Sequence, residues 1–213
     1  MKKILLLALF CIAAASGAVF AGDINNKVYI GAGLSMSFED FSYDDFINHA
    51  TTSKGNSKTL SGPRYDFSAG YRLGRKLRME AQYMIISKND FETDKTNSNV
   101  EYKAQALFAN AVLDFWNMQE NLITPFVGLG VGVGSPKLNI SYKGVKDEVD
   151  SNGFSWQMQA GANLRLMKWF LVNIKYSYLS MPDLKVDASS QSDIKAKFKN
   201  GVQAVGLGVT VLL

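Results

Sequence analysis

The chain has 213 residues, 20% of them charged and 12% aromatic, with a formal net charge of +4. Two of its cations, Lys2 and Lys3, sit in an N-terminal leader, so the rest is near balance and offers no basic footprint for nucleic acid. The one cysteine, Cys11, lies in the same leader, which leaves the mature chain without disulfides, thiol chemistry or cysteine metal sites.

The leader reads as a secretory signal peptide over 1–21. A short basic start precedes the apolar run "ILLLALFCIAAASGAVF", and Val19 and Ala21 are the small residues a signal peptidase reads. Phe10 stands before Cys11, where a lipoprotein signal would need a small residue. Residues 22–213 then form one domain, and no later segment carries about 18 uninterrupted apolar residues, the length a transmembrane helix needs.

Beyond the leader, apolar residues alternate with small or polar ones, the signal of a strand with two unlike faces. The first run, from Lys27 to Glu39, sets Val28, Ile30, Ala32, Leu34, Met36 and Phe38 against Tyr29, Gly31, Gly33, Ser35 and Ser37. The second sets Tyr65, Phe67, Ala69, Tyr71 and Leu73 against Asp66, Ser68, Gly70 and Arg72. The third sets Leu77, Met79, Ala81, Tyr83 and Ile85 against Arg78, Glu80 and Gln82. The fourth, about 100–115, has Ala109, Ala111, Leu113 and Phe115 opposite Asn110 and Asp114. Its upper half prefers the other phase, which predicts a bulge. The fifth, "PFVGLGVGVG", sets Val127, Leu129, Val131 and Val133 against Gly128, Gly130, Gly132 and Gly134. The sixth sets Phe154, Trp156, Met158, Ala160, Ala162 and Leu164 against Gln157, Gln159, Gly161, Asn163 and Arg165. The seventh sets Val172, Ile174, Tyr176 and Tyr178 against Asn173, Lys175 and Ser177. The last sets Val205, Leu207, Val209, Val211 and Leu213 against Gly206, Gly208 and Thr210.

The connections alternate in length. Short ones follow the second, fourth and sixth runs. Long polar ones, over 40–62, 88–99, 135–150 and 181–197, follow the others. An all-β, eight-stranded antiparallel up-and-down barrel with its short turns at one end is the pattern of a transmembrane β-barrel. The minor face decides which side is inside. It holds Asp66, Arg72, Arg78, Glu80, Gln157, Gln159, Arg165 and Lys175, a poor lining for an apolar ligand and a good filling for a polar lumen. The major face is apolar, with aromatics near both ends of the strands, Tyr102 among them, resembling interfacial belts.

The glycines at a spacing of two match neither a dinucleotide fingerprint nor a Walker loop. An eight-stranded barrel has an interior just wide enough for side chains. Gly31, Gly33, Gly128, Gly130, Gly132, Gly206 and Gly208 are therefore expected to give room to long polar side chains opposite, with Arg72, Arg78, Glu80, Arg165 and Lys175 forming an ion-pair network above them.

With these features, and with "ANAVLDFW" (109–116), "TPFVGLGVGVG" (124–134) and the terminal "VGLGVTVLL", the chain resembles the OmpA-like and opacity-type outer-membrane β-barrels of Gram-negative bacteria. The resemblance covers about 23–213. It implies outer-membrane localisation, contact with membrane lipid and the barrel-assembly machinery, and a structural, adhesin or surface-antigen role through the four long loops. Such barrels usually end in an aromatic residue, where this chain has Leu213. The peptidoglycan-binding domain of larger relatives is not expected here.

Enzymatic signals are weak. His49, the only histidine, lies in the first long loop and reads as solvated rather than as a base held in reach of a partner. Arg78 and Glu80 read as a structural pair rather than a proton relay. Asp183, Asp187 and Asp193 lack the spacing of a calcium loop. No cofactor and no metal is expected. The alternatives to a surface-binding role are a narrow channel, a lipid-modifying enzyme and, if the apolar face turned inward, a lipocalin-type carrier.

Overall fold

The computed structural model describes residues 27–41, 43–44, 58–88, 98–117, 120–142, 145–186 and 196–213. The expected signal peptide, 1–21, and His49 lie outside them. Among the described residues there are ten strands: β1 (Val28–Phe41), β2 (Tyr43–Asp44), β3 (Lys58–Arg72), β4 (Leu77–Lys88), β5 (Ser98–Asp114), β6 (Ile123–Tyr142), β7 (Val145–Asp150), β8 (Gly153–Arg165), β9 (Phe170–Val186) and β10 (Ala196–Leu212). Eight of them make the wall, each antiparallel to the next in the order β1-β3-β4-β5-β6-β8-β9-β10, and β1 pairs back onto β10 to close it. Short β2 extends β10 and β7 extends β6.

Alternation decides the two faces. Ile30, Leu34, Phe67, Leu129, Val131, Met158, Ile174 and Leu207 are exposed on the outside of the closed wall. Their strand neighbours Tyr29, Ser35, Asp66, Asn110, Gln157 and Ser177 are buried inside. Exposed apolar residues all round a closed sheet face lipid, because a water-facing barrel would show the reverse pattern. Aromatics mark both ends of this band. Phe115, Trp116 and Trp169 lie beside the short turns. Phe38, Tyr65, Phe154 and Trp156 lie near the other end, with the Trp156 and Tyr178 ring centroids 5.5 Å apart.

Three expectations are corrected. The fourth run has no bulge: β5 keeps one register with β4 and β6 along its whole length. Its upper half reads out of phase because Tyr102, Ala104, Ala106 and Phe108 point into the barrel, where Met84, Ile86, Leu179, Met181 and Val202 meet them as an apolar filling. Tyr102 is thus a lumen residue and not part of an interfacial belt. A register shift does occur in β10, between Phe198 and Asn200. Finally, the long loops are shorter than their polarity suggested. Residues 58–62, 98–99, 135–142, 145–150, 181–186 and 196–197 are strand, continuing the ladders beyond the bilayer. In the sequence these stretches carry polar residues on both faces, so the alternation that marks the transmembrane strands is absent there. The remaining loop segments lie outside the described residues.

Candidate functional site: a lumen filled from wall to wall

The lumen follows from the pairing register. One cross-strand row reads Tyr29, Gly70, Glu80, Asn110, Gly130, Gln157, each residue opposite the next. The glycines leave gaps in this row, and the neighbours lean over them. A Cβ on Gly70 would collide with the Tyr29 ring, and one on Gly130 with the Asn110 carboxamide. Tyr29 uses the space to donate from its hydroxyl to Glu80 Oε2 at 3.1 Å. Gln157 Nε2 donates to Asn110 Oδ1 at 2.6 Å.

The other glycines repeat this relation. Gly128 lies opposite Gln159, with Cγ 2.9 Å from where a Cβ would be. Gly33 lies opposite Asp66, whose Oδ2 would be 3.0 Å away, and Gly31 lies opposite Ser68. On β10, Gly206 faces Ser35 and Gly208 faces Asn173. Gly132 differs: its Cβ would strike the main-chain carbonyl of Leu107, so there the wall itself is too close.

Polar side chains then cross the barrel. Lys175 Nζ on β9 donates to Asp66 Oδ1 on β3 at 2.7 Å, although two strands, β10 and β1, separate them in the wall. Arg64 spans the same gap, donating to Ser177 Oγ at 2.7 Å while lying 3.8 Å from Asp66. From the other side, Gln157 Nε2 reaches Gln82 Oε1 at 2.7 Å. Gln82 donates in turn to Asp66 Oδ1 at 3.1 Å, and Asn110 donates to Gln82 Oε1 at 3.1 Å. A continuous chain of hydrogen bonds thus joins β9, β3, β4, β5 and β8 across the centre.

Nearer the short turns, Arg78 lies 3.7 Å from Glu80 and 3.3 Å from Asp114. Its guanidinium carbon lies over the rings of Tyr29, 5.3 Å from the centroid, and Phe126, 5.1 Å from the centroid. A planar, delocalised cation suits such a stack. Below it, Tyr29, Leu171 and Leu212 pack as an apolar floor. Between these layers lies a polar cavity of about 30 Å³, lined by Arg78, Glu80, Gln159, Asn163, Asn173 and Thr210 among others. Its size and polarity suit a water or two.

The residues expected to form the lumen network therefore divide. Asp66, Arg78, Glu80, Gln157 and Lys175 come together inside, and Gln159 covers Gly128. Arg72 and Arg165 lie at the end with the short turns. Arg72 Nη2 donates to Asn117 Oδ1 at 3.2 Å, and Arg165 Nη2 to the Glu120 carbonyl at 3.3 Å. Each of these bonds ties its arginine to the connection between β5 and β6. Reasoning from the sequence missed Arg64, which has no accessible surface. Its position two residues before Asp66, on the same strand face, was the signal.

A closed antiparallel barrel with a lipid-facing exterior, aromatic ends and a side-chain-filled polar lumen defines an integral outer-membrane β-barrel. The chain belongs to the outer membrane protein beta-barrel domain family, whose model matches residues 4–210, and its place is the outer membrane. It is 27% identical over 223 aligned positions to a protein of Rickettsia canadensis (strain McKiel) named "Putative adhesin", covering 95% of this chain and 88% of the relative. Among solved structures it is similar to Neisserial surface protein A, with a TM-score of 0.59 and 14% identity over 87% of this chain and 97% of that one. It is also similar to Ail, the attachment invasion locus protein of Yersinia pestis, with a TM-score of 0.51 and 13% identity over 86% and 99%.

Proposed function

We propose that this barrel is a non-enzymatic surface protein that binds extracellular partners through segments at its outer end, with the lumen serving as a rigid plug. The observation that carries this reading is the crossing of the lumen by Lys175–Asp66 and Gln157–Gln82. Polar groups engaged with one another across a barrel stiffen it, and rigid scaffolds present their binding residues on the connections between elements. The same crossing opposes a conducting pore. The name of the Rickettsia relative supports adhesion, and Ail has been solved with the heparin analogue sucrose octasulfate, which makes a sulfated glycan one partner class to assay. Membrane lipid and the barrel-assembly machinery complete the proposed partners.

The test is to display the protein in the outer membrane of a non-adherent bacterium. Attachment to cultured animal cells and to immobilised sulfated glycans would be counted for the native chain and for a chain with 45–57 and 187–195 replaced by Gly-Ser segments. Attachment lost with the segments supports the reading. Attachment no higher than that of the host strain alone would sink it.

A further inference from the structure

The inner face carries more cations than carboxylates. Among the described residues, Arg64, Arg72 and Arg78 are buried there and Lys175 is 13% exposed, against the carboxylates of Asp66, Glu80 and Asp114. The shortage is felt at Asp66, which receives Lys175 at 2.7 Å and lies 3.8 Å from Arg64, so two cations share one acid. Arg78, by contrast, has both Glu80 and Asp114. Buried charges are ordinarily matched, because an unmatched one gives up its hydration without return. Lys175 has three N–H donors and gives one to Asp66 Oδ1.

Lys175 and Arg78 both line the polar cavity of about 30 Å³ between the lumen layers. Asn163 on β8 and Asn173 on β9 line it too, as direct register partners. Their amides go different ways. Asn173 lies opposite Gly208 on β10, where the missing Cβ lets its amide lean over that strand, and its Nδ2 donates to Thr210 Oγ1 at 3.4 Å. Asn163 is 2% exposed and keeps a buried Nδ2 with no hydrogen-bond partner. Gly31 leaves the space open, since a Cβ there would come within 2.7 Å of Ser68 Oγ and 3.3 Å of Thr210 Oγ1. The two carboxylates that border the cavity are already engaged. Glu80 accepts from Tyr29 and Asn110, and Asp66 Oδ1 accepts from Lys175 and Gln82. Asp66 Oδ2 is turned towards Arg64 and Gly33.

We propose that this cavity binds one monatomic anion, chloride, held by Asn163 Nδ2 and Lys175 Nζ in the positive potential of Arg78. The volume suits one or two water-sized particles, not a phosphate or sulfate. The ion gives the second cation at Asp66 a counter-charge and the Asn163 amide an acceptor. It is thereby a structural part of the lumen filling, enclosed when the barrel closes.

The test takes protein purified from outer membranes, unfolds it in urea and refolds it into phosphatidylcholine vesicles. Sodium chloride is compared with sodium gluconate at the same ionic strength. Native stability should rise with chloride, the unfolding equilibrium constant falling about tenfold for each tenfold rise in chloride above the dissociation constant. Asn163→Asp puts a carboxylate in the place of the ion and should abolish this dependence, with heat-dependent gel mobility checking that the variant folds. Crystals of the native barrel grown in sodium bromide should show an anomalous difference peak in the cavity, in contact with Asn163 Nδ2. Equal native stability in chloride and gluconate overturns the proposal, and a bromide peak found together with that result is an adventitious ion only. The same chloride dependence in Asn163→Asp assigns the effect to salt acting elsewhere and overturns it as well. Density in the cavity without anomalous signal is water, and overturns the proposal whether or not the variant folds.

Discussion

Gln157 donates to Asn110 at 2.6 Å directly above Gly130, the residue that both of them face in the sheet. The bond exists because Gly130 has no side chain: a Cβ there would occupy the place of the Asn110 oxygen. Gly130→Ala is therefore expected to destabilise the barrel by about 1–3 kcal/mol, the usual cost of overpacking. The check is the urea midpoint of folding in lipid vesicles. Adding Asn110→Ala should recover part of the loss, because it removes the group the new methyl strikes. Strict additivity of the two changes would show that Gly130 matters for some other reason.

Asp66 faces two cations inside the lumen. Its carboxylate is 5% exposed and receives Lys175 at 2.7 Å, with Arg64 at 3.8 Å. Asp66→Asn would leave two cations in the lumen without that charge, and breaking a buried pair from one side costs about 3–5 kcal/mol. Asp66→Asn/Lys175→Gln should be the more stable variant, because the second change removes one of the stranded cations. A double variant weaker than Asp66→Asn alone would contradict the crossing seen here.

Conductance tests the central plug. Gln82, Asn110 and Gln157 bridge the middle of the lumen through side-chain amides. The native barrel is expected to be nearly silent in planar bilayers. Gln82→Ala/Asn110→Ala/Gln157→Ala should give stepwise current, since it removes uncharged bridges and leaves the Lys175–Asp66 pair in place. Native current equal to that of the triple variant would mean that ions bypass the amides.

Much of this architecture was legible because lipid and lumen impose opposite chemistry on alternate residues. Leu129 and Gly130, or Phe67 and Asp66, announce their faces within two positions. The reading failed where that contrast disappears. Inside the upper barrel, Phe108 and Tyr102 are apolar residues in an apolar filling, so β5 looks out of phase although its register is continuous. Further along β6, 137–142 and 145–150 pair as a hairpin whose sequence is polar on both faces, and no alternation marks it. Charge alone could not separate Arg78 from Arg165 either. Both lie on the inner face, but Arg165 is the last residue of β8 and bonds the Glu120 carbonyl in the connection between β5 and β6.

The depth of the lipid-facing band gives the last prediction. Leu129 is 63% exposed near the middle of β6, while Gln105 lies one row outside the aromatic end of the band. A lipid-facing arginine costs about 2–4 kcal/mol at the midplane and about 0–1 near the interface. Leu129→Arg should therefore lower folding stability in vesicles by the larger amount, and Gln105→Arg should be nearly neutral. Both substitutions place the same cation on the outer surface of the same sheet, so a difference between them reports depth and not local packing. Equal costs would mean that the band is misplaced by at least two rows.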